Sequence, residues 1–327
     1  MLAMALFSGC SSNPTEMPPP TIEPARAAES PPVTATPAGV VRPLAGPAQA
    51  AAFDARTGAL VVLGGDPSIV TVFTKAGAAV PTRLSGAATA MTGDDQGRLF
   101  LSTRGGYFRF DIAAGTATRV GVQGLDEVDL TAIARRADGR LVLGSADGAV
   151  YTLSSDTAVG ERLQIFARVD DIVTRGNTAV VLDRGQTSVT SLNTEGSKAE
   201  QALRAGQGAT TMAADGAGRV LVTDTRGGEL LVFGVDPLIL RQRFPVPDSP
   251  YGLATSDIPS GLVWVAQTAV NTVVGYDLAT GIPIEKVRYR TVRQPNSLVF
   301  DDASGTLYVV SGAGAGVQVI PAAGAGK

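Results

Sequence analysis

The 327 residues include no histidine and a single cysteine, Cys10. Ser-His-Asp triads, histidine general bases and His-ligated zinc or copper are therefore excluded. So are disulfide frameworks and cysteine metal clusters. Carboxylates, hydroxyls and guanidinium groups remain, and no cofactor is expected. Asp54, Asp95, Asp138, Asp215 and Asp302 recur beside turn glycines. Calcium needs about 6–8 oxygens converging in one place. One Asp per repeat puts these carboxylates on separate units, so they are read as turn formers that bond nearby backbone. Arg104, Arg184 and Arg226 stand in turns reading TRGG, DRGQ and DTRGG, with Asp147 at the matching place in SADG. Such arginines could accept carboxylate or phosphate bidentately. The competing expectation is local pairing, Asp183 with Arg184 and Asp224 with Arg226. The glycine-rich stretches 312–316 and 324–327 lack the following Ser/Thr and helix that a phosphate loop requires.

Composition narrows the partners. The net charge is −3, with acidic and basic residues interspersed and no basic block. Nucleic acid is not an expected partner, because phosphate binding needs clustered Lys and Arg. Hydrophobic residues make up 44% and aromatics only 5%, so the core must be built of many small β-branched and methyl side chains.

The elements that would position these residues come from a repeat. Ala209–Asp236 reads as an apolar run, a Gly/Asp turn, a second run, a polar turn and a third run. Aligned on the turn residue before the second run, the units fall at Gly58, Gly97, Gly139, Asn177, Gly218, Gly261 and Gly305, with spacings of 39, 42, 38, 41, 43 and 44 residues. A period near 40 with four short strands per unit predicts an all-β, seven-bladed β-propeller over residues 39–327. Continuous runs such as Leu60-Val61-Val62-Leu63 fit strands covered on both faces. The last unit has three strands, and residues 39–44 match fourth strands elsewhere. They are predicted to complete blade 7, closing the ring and removing its open edge.

In such a ring the innermost strands line a channel. Aligning the residue two before the main apolar position of each innermost strand gives Gln49, Thr89, Thr131, Asp170, Thr210, Tyr251 and Asn296, all polar. They are expected to surround one channel mouth, on the face that carries the turn arginines, and to suit a polar ligand or a partner's loop.

Before the repeat, Met1–Gly9 (MLAMALFSG) is a short apolar run ending in small residues directly before Cys10. It resembles the end of a bacterial lipoprotein signal segment, with 6–10 as the lipobox. This resemblance implies cleavage before Cys10, acylation of its thiol, and attachment to the extracytoplasmic side of a lipid bilayer. A start codon further upstream would supply the basic region such segments carry. Residues 11–38, rich in Pro, Thr, Ala and Ser, are expected to be a disordered tether.

The units at Pro250–Val265 and Pro295–Val310 carry a P-x-x-hydrophobic-x-x-D-x-x-G-x-L-x-V pattern. Through it the chain resembles propellers of the NHL, YVTN and gluconolactonase-like superfamily, and with the lipobox it looks like an actinobacterial propeller lipoprotein. WD40 repeats fit worse, since their Gly-His element needs histidine. The resemblance implies a monomeric, non-enzymatic binding or scaffold module for an envelope protein or polar ligand. The alternative it implies is a metal-dependent hydrolase of gluconolactonase type, for which Asp170, Asp171 and Asn296 are the available ligands. That family's first-blade Glu has no match here.

Overall fold

The computed structural model of the protein describes residues 20–65, 68–258 and 261–324. Strand β1 (Val40–Arg42) precedes blade 1, made of β2 (Ala48–Asp54), β3 (Ala59–Gly64), β4 (Ile69–Phe73) and β5 (Ala79–Arg83). Blade 2 holds β6 (Met91–Gly93), β7 (Arg98–Thr103), β8 (Gly106–Asp111) and β9 (Thr116–Gly121). Blade 3 holds β10 (Leu130–Arg135), β11 (Leu141–Ser145), β12 (Ala149–Leu153) and β13 (Val159–Gln164). Blade 4 holds β14 (Asp171–Arg175), β15 (Thr178–Asp183), β16 (Ser188–Leu192) and β17 (Ala199–Arg204). Blade 5 holds β18 (Ala209–Ala214), β19 (Arg219–Asp224), β20 (Glu229–Val235) and β21 (Leu238–Pro245). Blade 6 holds β22 (Pro250–Ala254), β23 (Val263–Gln267), β24 (Thr272–Asp277) and β25 (Ile284–Arg290). Blade 7 joins β26 (Pro295–Asp301), β27 (Thr306–Ser311) and β28 (Val317–Ile320) to β1.

The seven four-stranded antiparallel sheets form the seven-bladed β-propeller that the period predicts. Ring closure also follows the sequence: Val40, Val41 and Arg42 pair with Val319, Gln318 and Val317. Period-two alternation explains how one strand serves two interfaces. In β3, Val61 and Leu63 pack against blade 2, while Leu60 and Val62 pack against blade 7. The core is accordingly a ring of clusters, one per blade–blade interface, rather than a single centre. Trp264, fully buried, fills the blade 6–7 interface against Tyr289 and Phe300. Outer strands are mostly exposed, and there Pro81 and Pro245 are tolerated.

Some turn assignments shift. In blade 4 the left-handed residue is Gly176, not Asn177, and Arg175 pairs with Thr178 around a two-residue hairpin. Asn177 instead accepts the Asp138 N–H of blade 3 at 2.9 Å. Asp94, not Asp95, makes the blade 2 turn bonds, to the N–H groups of Gln96 and Arg98. Asp54 serves its own turn through Thr57 and also reaches across the blade interface to Gly97 N–H.

The described part of the segment before β1 is residues 20–38. These residues form a strap laid across the face that carries the channel mouth, called the top face below. Ile22 N–H donates to Gly185 O in blade 4, and Arg226 of blade 5 donates to Glu23 O. Ala28 N–H reaches Ser249 Oγ at the start of blade 6, and Asn271 donates to Pro31 O. Ser30, only 2% exposed, donates to Thr268 O at 2.6 Å and accepts Gln294 N–H at 3.0 Å. Gln294 Oε1 accepts Ser30 N–H and its Nε2 donates to Ala28 O. A Pro-rich chain has no hydrogen bonds of its own to lose, so its backbone groups are free to be satisfied by turns it crosses. Room is made at Gly208, where a Cβ would lie 2.7 Å from Ala25 Cβ.

Candidate functional site: the top-face channel

Each residue of the aligned polar ring sits where its innermost strand slips register. In blades 1, 3, 5, 6 and 7 the slip falls on Gln49, Thr131, Thr210, Tyr251 and Asn296. In blade 2, Thr89 N–H donates to Ser102 O while Ser102 N–H returns to Ala90 O. In blade 4, Asp170 N–H donates to Leu182 O, although Leu182 is the pairing partner of Asp171. A bulge puts two residues opposite one and re-aims the side chain between them. The backbone thus turns these seven positions out of the sheets at one end of the channel.

The seven then part company. Thr89 Oγ1 donates to Leu130 O of blade 3 at 2.7 Å, and Thr131 Oγ1 donates to Val169 O of blade 4. Thr210 shares hydrogen bonds with Thr223 and Thr225, whose hydroxyls reach Tyr251 O and Pro250 O of blade 6. These three threonines tie neighbouring blades together. Gln49, Asp170, Tyr251 and Asn296 stand around the lumen, a cavity of about 520 Å³ that Thr210 also borders. Thr89 and Thr131 border a separate hollow of about 610 Å³ over blades 2 and 3.

Asp171, one residue past the ring position, lines the lumen. Its carboxylate accepts the Ile172 N–H at 2.9 Å. Burial pushes this carboxyl up to about 6; the Asp170 carboxylate adds to the rise, while the Ile172 and Met212 N–H groups and the Arg184 guanidinium oppose it. Asp170 is already engaged through both oxygens, with Arg168 Nε at 3.0 Å and Arg184 N–H at 2.8 Å. Together with Asn296, whose Oδ1 accepts Gln294 Nε2 at 3.0 Å, these are the residues of the hydrolase alternative. Among the described residues no group of three or more His, Cys, Asp or Glu could hold a metal ion. The donor set fits a divalent ion poorly, because Asp170 is already held by Arg168 and the Arg184 N–H, and two carboxylates with one carboxamide fall short of the about 6–8 oxygens that calcium takes.

The turn arginines are not one patch. Arg104, over the blade 2–3 hollow, pairs with Glu127 and Asp129. Arg184 borders the lumen and donates to Ala25 O of the strap, and Arg226 donates to Glu23 O and Gln207 O. Nor do Asp183 and Asp224 pair with the adjacent arginines. Each is fully buried and takes three backbone N–H groups, those of Ala167, Arg168 and Gln186 and those of Gln207, Gly208 and Gly227. Cys10 lies outside the described residues.

Sequence reasoning missed Arg168, Gln294 and the strap residues Ala25 and Ser30. The signal for Arg168 was available, since it stands two residues from Asp170. No signal announced the strap contacts.

No protein-family model matches the chain, and no curated protein matches it in sequence. Solved structures do match in fold. A streptogramin B lyase superposes with a TM-score of 0.70 at 10% identity, covering 87% of this chain and 96% of that one. A virginiamycin B lyase from Staphylococcus aureus, a catalytically inactive histidine-to-alanine variant with quinupristin, gives 0.70 at 10% identity, covering 87% and 97%. A chain of the mitotic checkpoint complex gives 0.70 at 12% identity, covering 98% and 97%. At such identities the likeness is one of fold.

Proposed function

We propose that this protein is a non-enzymatic binding module of the cell envelope, held to a membrane through an acylated Cys10, that takes a polar ligand into the top-face channel. The observation that carries the reading is that Gln49, Asp170, Tyr251 and Asn296, polar residues at matching places in four blades, stand around one lumen of about 520 Å³. That volume falls within the range of ligand pockets, about 300–1,000 Å³.

The likeness to lyases does not favour catalysis. The virginiamycin B lyase loses activity when a histidine is replaced, and this chain has no histidine. The lumen supplies Asp171, carboxamides and hydroxyls, which bind and orient but form no nucleophile–base pair.

The strap bears on the anchor. Nine residues lie between Cys10 and Pro20, so the ten steps from one to the other reach at most about 35 Å. An anchor at Cys10 would hold the top face toward the bilayer, because the chain arrives over blade 4. Among the described residues no helix is long and apolar enough to cross a membrane.

Two experiments test the reading. Native mass spectrometry of the chain after incubation with the low-mass fraction of an envelope extract is expected to show a bound species, lost in a Gln49→Leu/Asn296→Leu variant. Retention of the species by that variant would refute the channel. Cys10→Ala is expected to move the protein from the membrane to the soluble fraction; persistence in the membrane would refute the anchor.

A further inference from the structure

The lumen mixes small apolar residues with polar groups from several blades, and it is charged on one side. Gln49 of blade 1, Thr92 of blade 2, Thr211 of blade 5, and Asn296 and Ser297 of blade 7 line it. Each group both donates and accepts. The side chains of Gln49, Thr92, Thr211 and Ser297 make no hydrogen bond within the described residues, so their capacity is open to a guest. Blade 4 brings the charge, in Asp170 and Asp171. Arg168 pairs with Asp170, while Arg184 donates to the strap carbonyl of Ala25 and acts on Asp171 through its charge without forming an ion pair. Asp171 takes part in no ion pair among the described residues, and its oxygens keep lone pairs beyond the Ile172 and Met212 N–H groups.

We infer that the lumen takes a small hydroxylated molecule bearing a primary ammonium group, with Asp171 as its counter-ion. The inference rests on the channel reading above and narrows it to a ligand class. A half-buried carboxylate with no ion-pair partner gains from a cation that arrives with the guest. A hard metal ion is a poor candidate, since Asp170 is already paired with Arg168 and several anionic oxygens would be needed. A quaternary ammonium is also a poor candidate. Such groups are recognised by cages of aromatic rings, and Tyr251 is the one ring on the lumen wall among the described residues. A primary ammonium presents three N–H donors, which suit the carboxylate and the amide and hydroxyl oxygens around it. The remaining amides and hydroxyls, spread over four blades, match guest hydroxyls rather than an apolar surface. A lumen of about 520 Å³ admits one or two sugar-sized rings and not a folded partner.

The test is a calorimetric and thermal-shift titration of the full chain with glucosamine and ethanolamine. Glucose, glycerol and choline serve as controls. Glucosamine is expected to raise the melting temperature saturably, with glucose and choline binding at least about tenfold more weakly. Asp171→Asn, checked for cooperative melting, is expected to lose at least about tenfold in glucosamine affinity. Equal binding of glucose and glucosamine, undiminished binding by Asp171→Asn, or no binding of either amine would overturn the inference. Glucose binding that is lost in Gln49→Leu/Asn296→Leu would overturn the ammonium class while supporting the channel. Loss of the extract-derived species in that same variant judges the channel independently of any amine.

Discussion

Replacing Asp171 by Asn should make the protein more stable at neutral pH, and the gain should vanish in acid. Burial raises the Asp171 carboxyl from 3.8 to about 6, so the folded state holds its proton more tightly than the unfolded chain. Below pH 3.8 both states are protonated and the group is neutral to stability. As pH rises from 3.8 to about 6 the unfolded chain ionises first, and folding becomes progressively less favourable. A shift of roughly two units corresponds to about 3 kcal/mol, complete above pH 6. This is an upper bound, because Asn keeps an oxygen for the Ile172 N–H but brings an amide of its own. At roughly 2–4 °C per kcal/mol for chains approaching this size, the gain would be several degrees. Thermal melts of both proteins from pH 3.5 to 8 provide the assay. A difference that opens between pH 4 and pH 6 and then levels off is expected. An Asn variant equal to or less stable than the parent at pH 7.5, or a difference independent of pH, would refute the reasoning. A lumen carboxylate that weakens the fold is understandable where binding needs it.

Other perturbations probe the ring and the strap. Deleting residues 39–46 removes β1 and re-exposes the edge of β28, so a clear drop in melting temperature and loss of monodispersity are expected; an unchanged melt would contradict closure. Ser30→Ala leaves Thr268 O and Gln294 N–H without their hydroxyl, at about 1–3 kcal/mol. Limited proteolysis within residues 20–38 should accelerate roughly fivefold or more while the global melt changes little. Gly208→Ala sets a methyl 2.7 Å from Ala25 Cβ and Arg226 Cβ, so it should loosen the strap likewise, and Ala25→Gly in the same chain should ease it. Proteolysis rates at the parent level would contradict the strap's packing.

Architecture was legible because it is periodic. Seven turns near 40 residues apart, with apolar runs between them, specify blades, and the three-stranded last unit points to residues 39–44. The polar ring was legible for the same reason, since a polar residue stands out at an aligned apolar position. What the ring residues do was not. Thr89 and Thr131 look like Gln49 and Asn296 in an alignment, yet their hydroxyls tie one blade to the next, and Thr210 does so through Thr223 and Thr225. Only strand geometry separates the two kinds. The partners of Arg184 and Arg226 were not legible because they are backbone carbonyls far away in sequence, with Arg184 and Ala25 lying 159 residues apart. Asp183 and Asp224 bind backbone N–H groups, which every sequence contains and none advertises. The strap escaped notice because Pro-rich composition describes a chain without internal hydrogen bonds, whether it is free or docked.

The most direct test of the channel as the binding site is to fill it. Thr211 lines the lumen, and Thr211→Trp places an indole there without touching the strap or the outer strands. Calorimetric titration of this variant with glucosamine, beside native mass spectrometry of its extract-derived complex, is the decisive measurement. A folded variant with neither signal is the expected result. A folded variant that binds as the parent does would contradict the channel.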